Sequence, residues 1–271
     1  MINIYNRHIA KKFLIGALIV IAGVFPCFAS GPHLATLIKH DGGRASGKVR
    51  YLASSKAYEI YKPNNVRQQV MASEIKRVIL KTRPPELKVA VNNVNRGKYA
   101  AAIAPLKKIK ADYEMFGPDV IAAQYLAKAY LKLGRPADAS RMCKEVLQGN
   151  PNAIDDPKFA GVYWDALLQE KKYSTLTRVL ADVIQTGSHQ IAAVALVKRG
   201  DVLLAQGDAK SALRDGYLRT ILMFQDVKDI QPEALYKAMK AHQSIGEHPY
   251  AEKWRKRLLA GYPTSEYAKQ L

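Results

Sequence analysis

The residues that could do chemistry are dispersed along this chain. His33, His40, His189, His242 and His248 never fall at the His-Glu-x-x-His spacing that sets two imidazoles on one helical face for a metal. Neither a Gly-x-Ser-x-Gly elbow nor a phosphate-cradling glycine loop occurs. Cys143 is the one cysteine beyond residue 29 and sits where a helix needs a large apolar side chain, which predicts an inert, buried thiol. Asp155-Asp156 immediately precedes Pro157, the pattern of a helix start rather than of an acid/base pair. These residues give no catalytic set, metal site or cofactor, and the chain is expected not to be an enzyme.

Binding chemistry is better represented. Lys128 and Lys132 stand four apart, so on a helix their like charges face one another and an acidic partner would relieve the repulsion. Two solvated lysines are the plainer reading. Tyr125, Tyr130, Tyr163 and Trp164 recur at helical spacing and are expected in the core, with a stacking platform as the alternative. In Lys253-Trp254-Arg255-Lys256-Arg257, Trp254 has Tyr250 and Leu258 four residues to either side, which predicts one apolar face on a basic amphipathic helix. Arg44, Lys48 and Arg50 alternate with small and apolar residues and would share one side of a strand, available to an anionic surface. The formal net charge is +19, and residues 30–83 hold eleven basic against three acidic side chains, which favours long-range attraction to an anionic partner.

The elements that must position these side chains repeat. Gly97-Lys98-Tyr99, Gly134-Arg135-Pro136, Gly207-Asp208-Ala209 and Gly246-Glu247-His248 each interrupt a helical run and are followed by Ala102, Ala139, Ala212 and Ala251. A degenerate copy reads Lys171-Lys172-Tyr173 with Leu176 in the alanine slot. The slots are separated by 37, 37, 36 and 39 residues, a period that marks stacked helical hairpins. In the best copy Leu126, Ala127 and Tyr130 precede Gly134, Ala139 and Pro151. From Pro85 onward the sequence thus resembles the tetratricopeptide repeat family. Repeat three departs from the pattern, because Trp164 stands where a small residue is usual and Leu176 replaces Ala, and its hairpin is expected to be more widely spaced or rotated, interrupting the curvature.

The resemblance implies a mainly α superhelix of about five hairpins whose concave side, lined by first helices, holds a peptide or partner segment. Projected onto this sequence, the groove positions are Gln124, Lys128, Leu131 and Lys132 in repeat two, and Asp165, Leu168 and Gln169 in repeat three. They continue with Val197, Asp201 and Leu204 in repeat four, and Tyr236, Lys240 and Gln243 in repeat five. The carboxylate clamp of some family members is not supported, since Leu87 and Val91 occupy its places. Tyr262-Pro263-Thr264-Ser265-Glu266-Tyr267-Ala268 resembles the start of a further repeat in bacterial envelope proteins and is expected to act as a terminal cap.

Two other regions precede the repeats. Over residues 30–83, a run from His33 to His40 meets Asp41-Gly42-Gly43, Ala45 to Ala53 alternates with period two, and shorter runs follow up to Leu80. The Asp-Gly-Gly hairpin, the Gly47-Lys48-Val49 strand and the Ser73-Glu74-Ile75 corner resemble a small SH3- or Sm-like barrel, here expected to dock or cap. Pro84-Pro85 separates it from the repeat domain, 84–271. At the start, Arg7, Lys11 and Lys12 precede an apolar run from Phe13 to Phe25 and the small-residue site at Ala29, the order of a secretory signal over 1–29. Retention as an anchor suits this 13-residue run less well than cleavage. Lipid attachment at Cys27 is disfavoured by Val24-Phe25-Pro26. The expected protein is an exported, periplasmic scaffold for another envelope protein. Its alternative is attachment to an anionic polymer or lipid through the basic β region; nucleic acid is not an expected partner.

Overall fold

Alternation and turn chemistry build the first part of the molecule. The computed structural model describes residues 31–63 and 66–271. The leader expected over 1–29, Cys27 included, and the turn residues Asn64 and Asn65 lie outside the described residues. Five strands, β1 (His33–Lys39), β2 (Arg44–Leu52), β3 (Ala57–Tyr61), β4 (Arg67–Met71) and β5 (Ile75–Leu80), form one antiparallel sheet in the order β4-β3-β2-β1-β5. Asp41-Gly42-Gly43 closes the β1–β2 hairpin, with Gly42 at φ 88° and the Asp41 carboxylate accepting the Gly43 amide at 2.7 Å. A single 3-10 turn, Ala72–Glu74, links the two edge strands β4 and β5, so the sheet must curl strongly. Among the described residues no ladder joins those edges, and the barrel expected from the sequence is open there. Leu37, Val49, Tyr51, Tyr58, Ile60 and Val70 fill its interior.

From Pro85 the chain forms five helical hairpins: α1 (Pro85–Asn95) with α2 (Tyr99–Asp112), α3 (Pro118–Lys132) with α4 (Pro136–Gly149), and α5 (Pro157–Gln169) with α6 (Tyr173–Thr186). The fourth pairs α7 (His189–Ala205) with a continuous helix made of α8 (Ala209–Ala212), a π-helical turn (Leu213–Tyr217) and α9 (Leu218–Met223). The fifth is α10 (Gln231–Ser244) with α11 (His248–Gly261). Proline in the first turn starts α1, α3, α4, α5, α10 and α11, where its missing N–H costs nothing. Asp156 caps α5 by accepting the amides of Lys158 at 2.8 Å and Phe159 at 3.2 Å, as the Asp-Asp-Pro pattern predicts.

All five hairpins turn the same way. The second residue after the first helix is left-handed at Gly97, Gly134, Gly207 and Gly246, and Lys171 takes the same conformation at φ 57°. In each copy the next amide reaches back to a carbonyl five residues earlier, as in Arg135 to Tyr130 and Lys172 to Leu167. The slots Ala102, Ala139, Leu176, Ala212 and Ala251 are all buried, and their helices meet there. Cys143 is buried in this core and its thiol is pushed up to about 12 by desolvation. Trp164 is fully buried, and the backbones of α5 and α6 approach one another less than those of the other hairpins, while α6 leans on α7. The fourth hairpin is the opposite case. Gly216 lies so close to α7 that a Cβ there would stand 2.5 Å from the Gly200 Cα.

The sheet is joined to the repeats through the loop between α2 and α3. Phe116 inserts into the sheet's core, the Tyr58 hydroxyl donates to the Met115 carbonyl at 2.6 Å, and His33 Nε2 lies 2.7 Å from the Asp112 carbonyl. Met115 is left-handed at φ 65°, and the Asp119 carboxylate accepts its amide at 2.8 Å and that of Gly117 at 2.9 Å. Burial pushes the Asp119 carboxyl above the ordinary range, against the pull of those amides. At the far end Ala268 is buried and Tyr267 packs 5.6 Å from Tyr236, so the last residues cap the stack.

Candidate partner-binding groove

First helices α3, α5, α7 and α10 follow one another in space, each packed on the next. Their inner faces enclose an open groove of about 1160 Å³, beyond the roughly 300–1,000 Å³ of small-molecule pockets and more in keeping with a length of polypeptide. Gln124, Lys128, Leu131 and Lys132 line its first part, and Asp165 and Gln169 its middle. Lys128 and Lys132 are exposed and make no ion pair with any described residue. The i,i+4 repulsion inferred from the sequence is therefore uncompensated within the described residues.

The remaining projected positions serve other ends. Asp201 does not line the groove: it accepts the Tyr217 hydroxyl at 2.9 Å and the Lys237 ammonium at 2.6 Å. Val197 is fully buried in the core, and Tyr236 is covered by Tyr267. Lys240 and Gln243 are exposed but lie outside the groove, with Lys240 5.7 Å from the Tyr236 ring. Family projection missed these places because it supposes that every first helix presents the same stripe. Here the terminal cap and a charged network consume that stripe in repeats four and five.

That network repeats with the fold. Asp165 and Asp201 both stand eleven residues before their repeat's slot residue, and Lys198 and Lys237 both stand fourteen before theirs. Each aspartate pairs with the lysine of the next repeat, Asp165 with Lys198 at 2.7 Å and Asp201 with Lys237 at 2.6 Å. Glu233 lies between them, 2.6 Å from Lys237 and 3.5 Å from Lys198. Burial would depress the Lys198 ammonium, but Asp165, Glu233 and Asp201 outweigh it and hold its pKa well above the ordinary lysine value. Burial likewise opposes ionisation of Glu233, yet Lys198 and Lys237 draw its carboxyl down to about 2. The Tyr217 hydroxyl is raised by burial and by Asp201. Lys198, Glu233 and Lys237 were not singled out in the sequence; an Asp-to-Lys separation of 33 and then 36 residues was the signal that could have found them.

Elsewhere the basic candidates divide. Arg50 is held by Glu59 at 3.0 Å, while Arg44 and Lys48 remain exposed on the outer face of the sheet. In α11, Trp254 and Leu258 are buried as expected, but Tyr250 is 56% exposed and stacks 5.4 Å from His242 instead of joining the apolar face. Tyr130, Tyr163 and Trp164 are core residues and Tyr125 is half-buried, which leaves no stacking platform among them. Among the described residues no group of three potential metal ligands converges, and no helix is long and apolar enough to cross a membrane.

The serial hairpins define a tetratricopeptide-like α-solenoid preceded by a small curled sheet. The solved structure of TTC0263, a thermophilic TPR protein in Thermus thermophilus, shares this fold with a TM-score of 0.50 and 20% identity, over 68% of this chain and 96% of that one. The MamA protein matches at a TM-score of 0.43 and 19% identity over 66% of this chain and 94% of its own. A MamA structure of AMB-1 matches at 0.42 and 18%, over 65% and 96%. No protein-family model matches the sequence, and no curated protein matches it.

Proposed function

We propose that this chain is a non-catalytic scaffold that holds a segment of another protein in the groove between α3 and α10, and that it does so after export to the bacterial envelope. The observation that carries the reading is the preformed groove with Lys128 and Lys132 along its α3 side, neither in an ion pair with a described residue. Such a wall is available without rearrangement, which limits the ordering cost of binding to that of the partner segment. The leader at 1–29 supports export. The test is site-specific photocrosslinking from Gln124 and Gln169 in the groove and from Lys253 on α11, in cells of the source type. A single envelope protein trapped from the groove positions alone supports the reading; labelling that does not distinguish the positions ends it. Cell fractionation with mass measurement of the N-terminus tests export and cleavage after Ala29.

The outer face of the sheet supports a second reading, contact with an anionic lipid surface. Leu34 and Ile79 are 50% and 43% exposed there, and in the ladder Lys48 is the direct partner of Leu34. Apolar tips among cations suit a lipid headgroup layer. Co-sedimentation with phosphatidylglycerol vesicles should fall steeply with salt and be lost in an Arg44→Glu/Lys48→Glu variant.

A further inference from the structure

The groove's two ends carry opposite charge. On the α3 side stand Lys128 and Lys132, both exposed and without an ion-pair partner among the described residues. On the α10 side stand Asp229 and Glu266, both exposed and likewise unpaired there. Next to them lies the network, partly exposed at Asp165 in the middle of the groove, in which three carboxylates, Asp165, Asp201 and Glu233, face two ammonium groups, Lys198 and Lys237. That imbalance leaves one excess negative charge in the network, whose Glu233 at the start of α10 lines the groove together with Asp229 and Glu266. Asp156, the cap of α5, and Lys158 in its first turn offset each other. A protein with a formal charge of +19 thus carries, inside its groove, a local field that reverses sign from one end to the other.

Resting on the groove reading above, we infer that the occupant is an extended segment with separated charge blocks, acidic residues lying against Lys128 and Lys132 and basic residues against Asp229 and Glu266. The span sets its length. Three steps between adjacent first helices, at about 8–10 Å each, make roughly 25–30 Å, which an extended chain covers in about eight residues at 3.3 Å each. A uniformly acidic segment, which the protein's net charge would attract from a distance, meets repulsion at the α10 end. A uniformly basic one is repelled both at α3 and by the molecule as a whole.

The test compares two twelve-residue peptides of identical composition and zero net charge, each bearing a neutral dye, by fluorescence anisotropy at low salt. One has its glutamates and lysines in separate terminal blocks around a Gly/Ser/Ala spacer; the other alternates them. Because both are neutral, the overall charge of the protein favours neither. The block peptide should bind the full chain about fivefold tighter, the scale of a few exposed ion pairs acting together. The preference should vanish in Lys128→Glu/Lys132→Glu and in Asp229→Lys/Glu266→Lys. It should return when all four changes are combined, since the reversed field accepts the same peptide laid in the opposite sense. These surface variants leave the buried network untouched, and circular dichroism checks that they are folded. Binding of both peptides with equal affinity, or a preference indifferent to the four substitutions, overturns the inference while leaving the groove reading standing. Binding of neither overturns both.

Discussion

Hairpins three and four differ in architecture and at two buried places in the repeat: the slot, Leu176 in one and Ala212 in the other, and a position earlier in the first helix. Twelve residues before the slot stand Ala90, Ala127, Trp164, Gly200 and Met239. In hairpin three the Trp164 indole is fully buried, α5 and α6 approach one another less closely, and α6 packs on α7. At Gly200 nothing intervenes, and the π-helical turn comes down until Gly216 touches α7 backbone to backbone and the Tyr217 ring lies over Gly200. An indole and a hydrogen atom at equivalent positions thus accompany the widest and the tightest of these contacts. The comparison teaches that side-chain size at this position does not set hairpin separation alone, since Met239 stands there in the closely packed fifth hairpin and Leu176 also replaces the slot alanine in the third. The turn itself is indifferent to that size. Lys171 makes the same left-handed turn as the four glycines.

The largest test of that comparison is Trp164→Ala. Loss of a fully buried indole should cost about 4 kcal/mol, measured by urea unfolding, because α6 is already committed to α7 and cannot simply collapse inward. A cost under about 1 kcal/mol would mean that the hairpin closes freely and that its width is imposed from elsewhere. Next comes Gly216→Ala, whose new methyl would stand 2.5 Å from the Gly200 Cα and 2.7 Å from the Gly200 nitrogen. Neither backbone atom can rotate away, so about 2–3 kcal/mol should be lost and hydrogen exchange should rise first in α7 and the π turn. Unchanged exchange there would refute the direct backbone contact.

A third experiment asks whether the network linking repeats three to five is independent of hairpin width. Glu233→Gln should cost about 2 kcal/mol at neutral pH, below the full penalty for breaking a buried pair because Asp165 and Asp201 still neutralise the two lysines. The acid dependence has a definite sign. The Glu233 carboxyl is depressed to about 2 from its ordinary 4.5, so its contribution is complete above pH 4.5 and is lost as pH falls through 2. The variant should show a shallower loss of stability over that window. An identical slope would remove Glu233 from the network's energetics. The smallest effect belongs to Lys171→Gly, which relieves a left-handed non-glycine residue and should gain up to about 1 kcal/mol without moving α5 relative to α6. A loss would show that the Lys171 side chain contributes more than its backbone costs.

Much of the helical part could be read from the residues because its rules are local. A helix that must reverse within a few residues needs a left-handed residue, and a partner helix that crosses it closely needs a small one. Gly134 with Ala139, or Gly246 with Ala251, therefore announces a hairpin whatever its surroundings. The strands were legible for a similar reason, since Val49 and Tyr51 alternate with Lys48 and Arg50. The groove was legible only in its first half. Gln124, Lys128 and Lys132 line it as projected, whereas Asp201 and Tyr236 are consumed by Lys237, Tyr217 and Tyr267. Nothing near Asp201 in the chain says that a lysine 36 residues later will reach it.

By itself, then, the amino-acid order determined the number of hairpins, their turns and the slots where each pair of helices meets. Those features depend on backbone torsion and steric size within one repeat. Only the tertiary structure decided which charges remain free and which are spent between repeats, and how the sheet is moored through Phe116 and Met115. Such contacts depend on how each hairpin is rotated against the next, and that rotation is the joint outcome of packing at Trp164, Gly200 and every other buried interface along the stack.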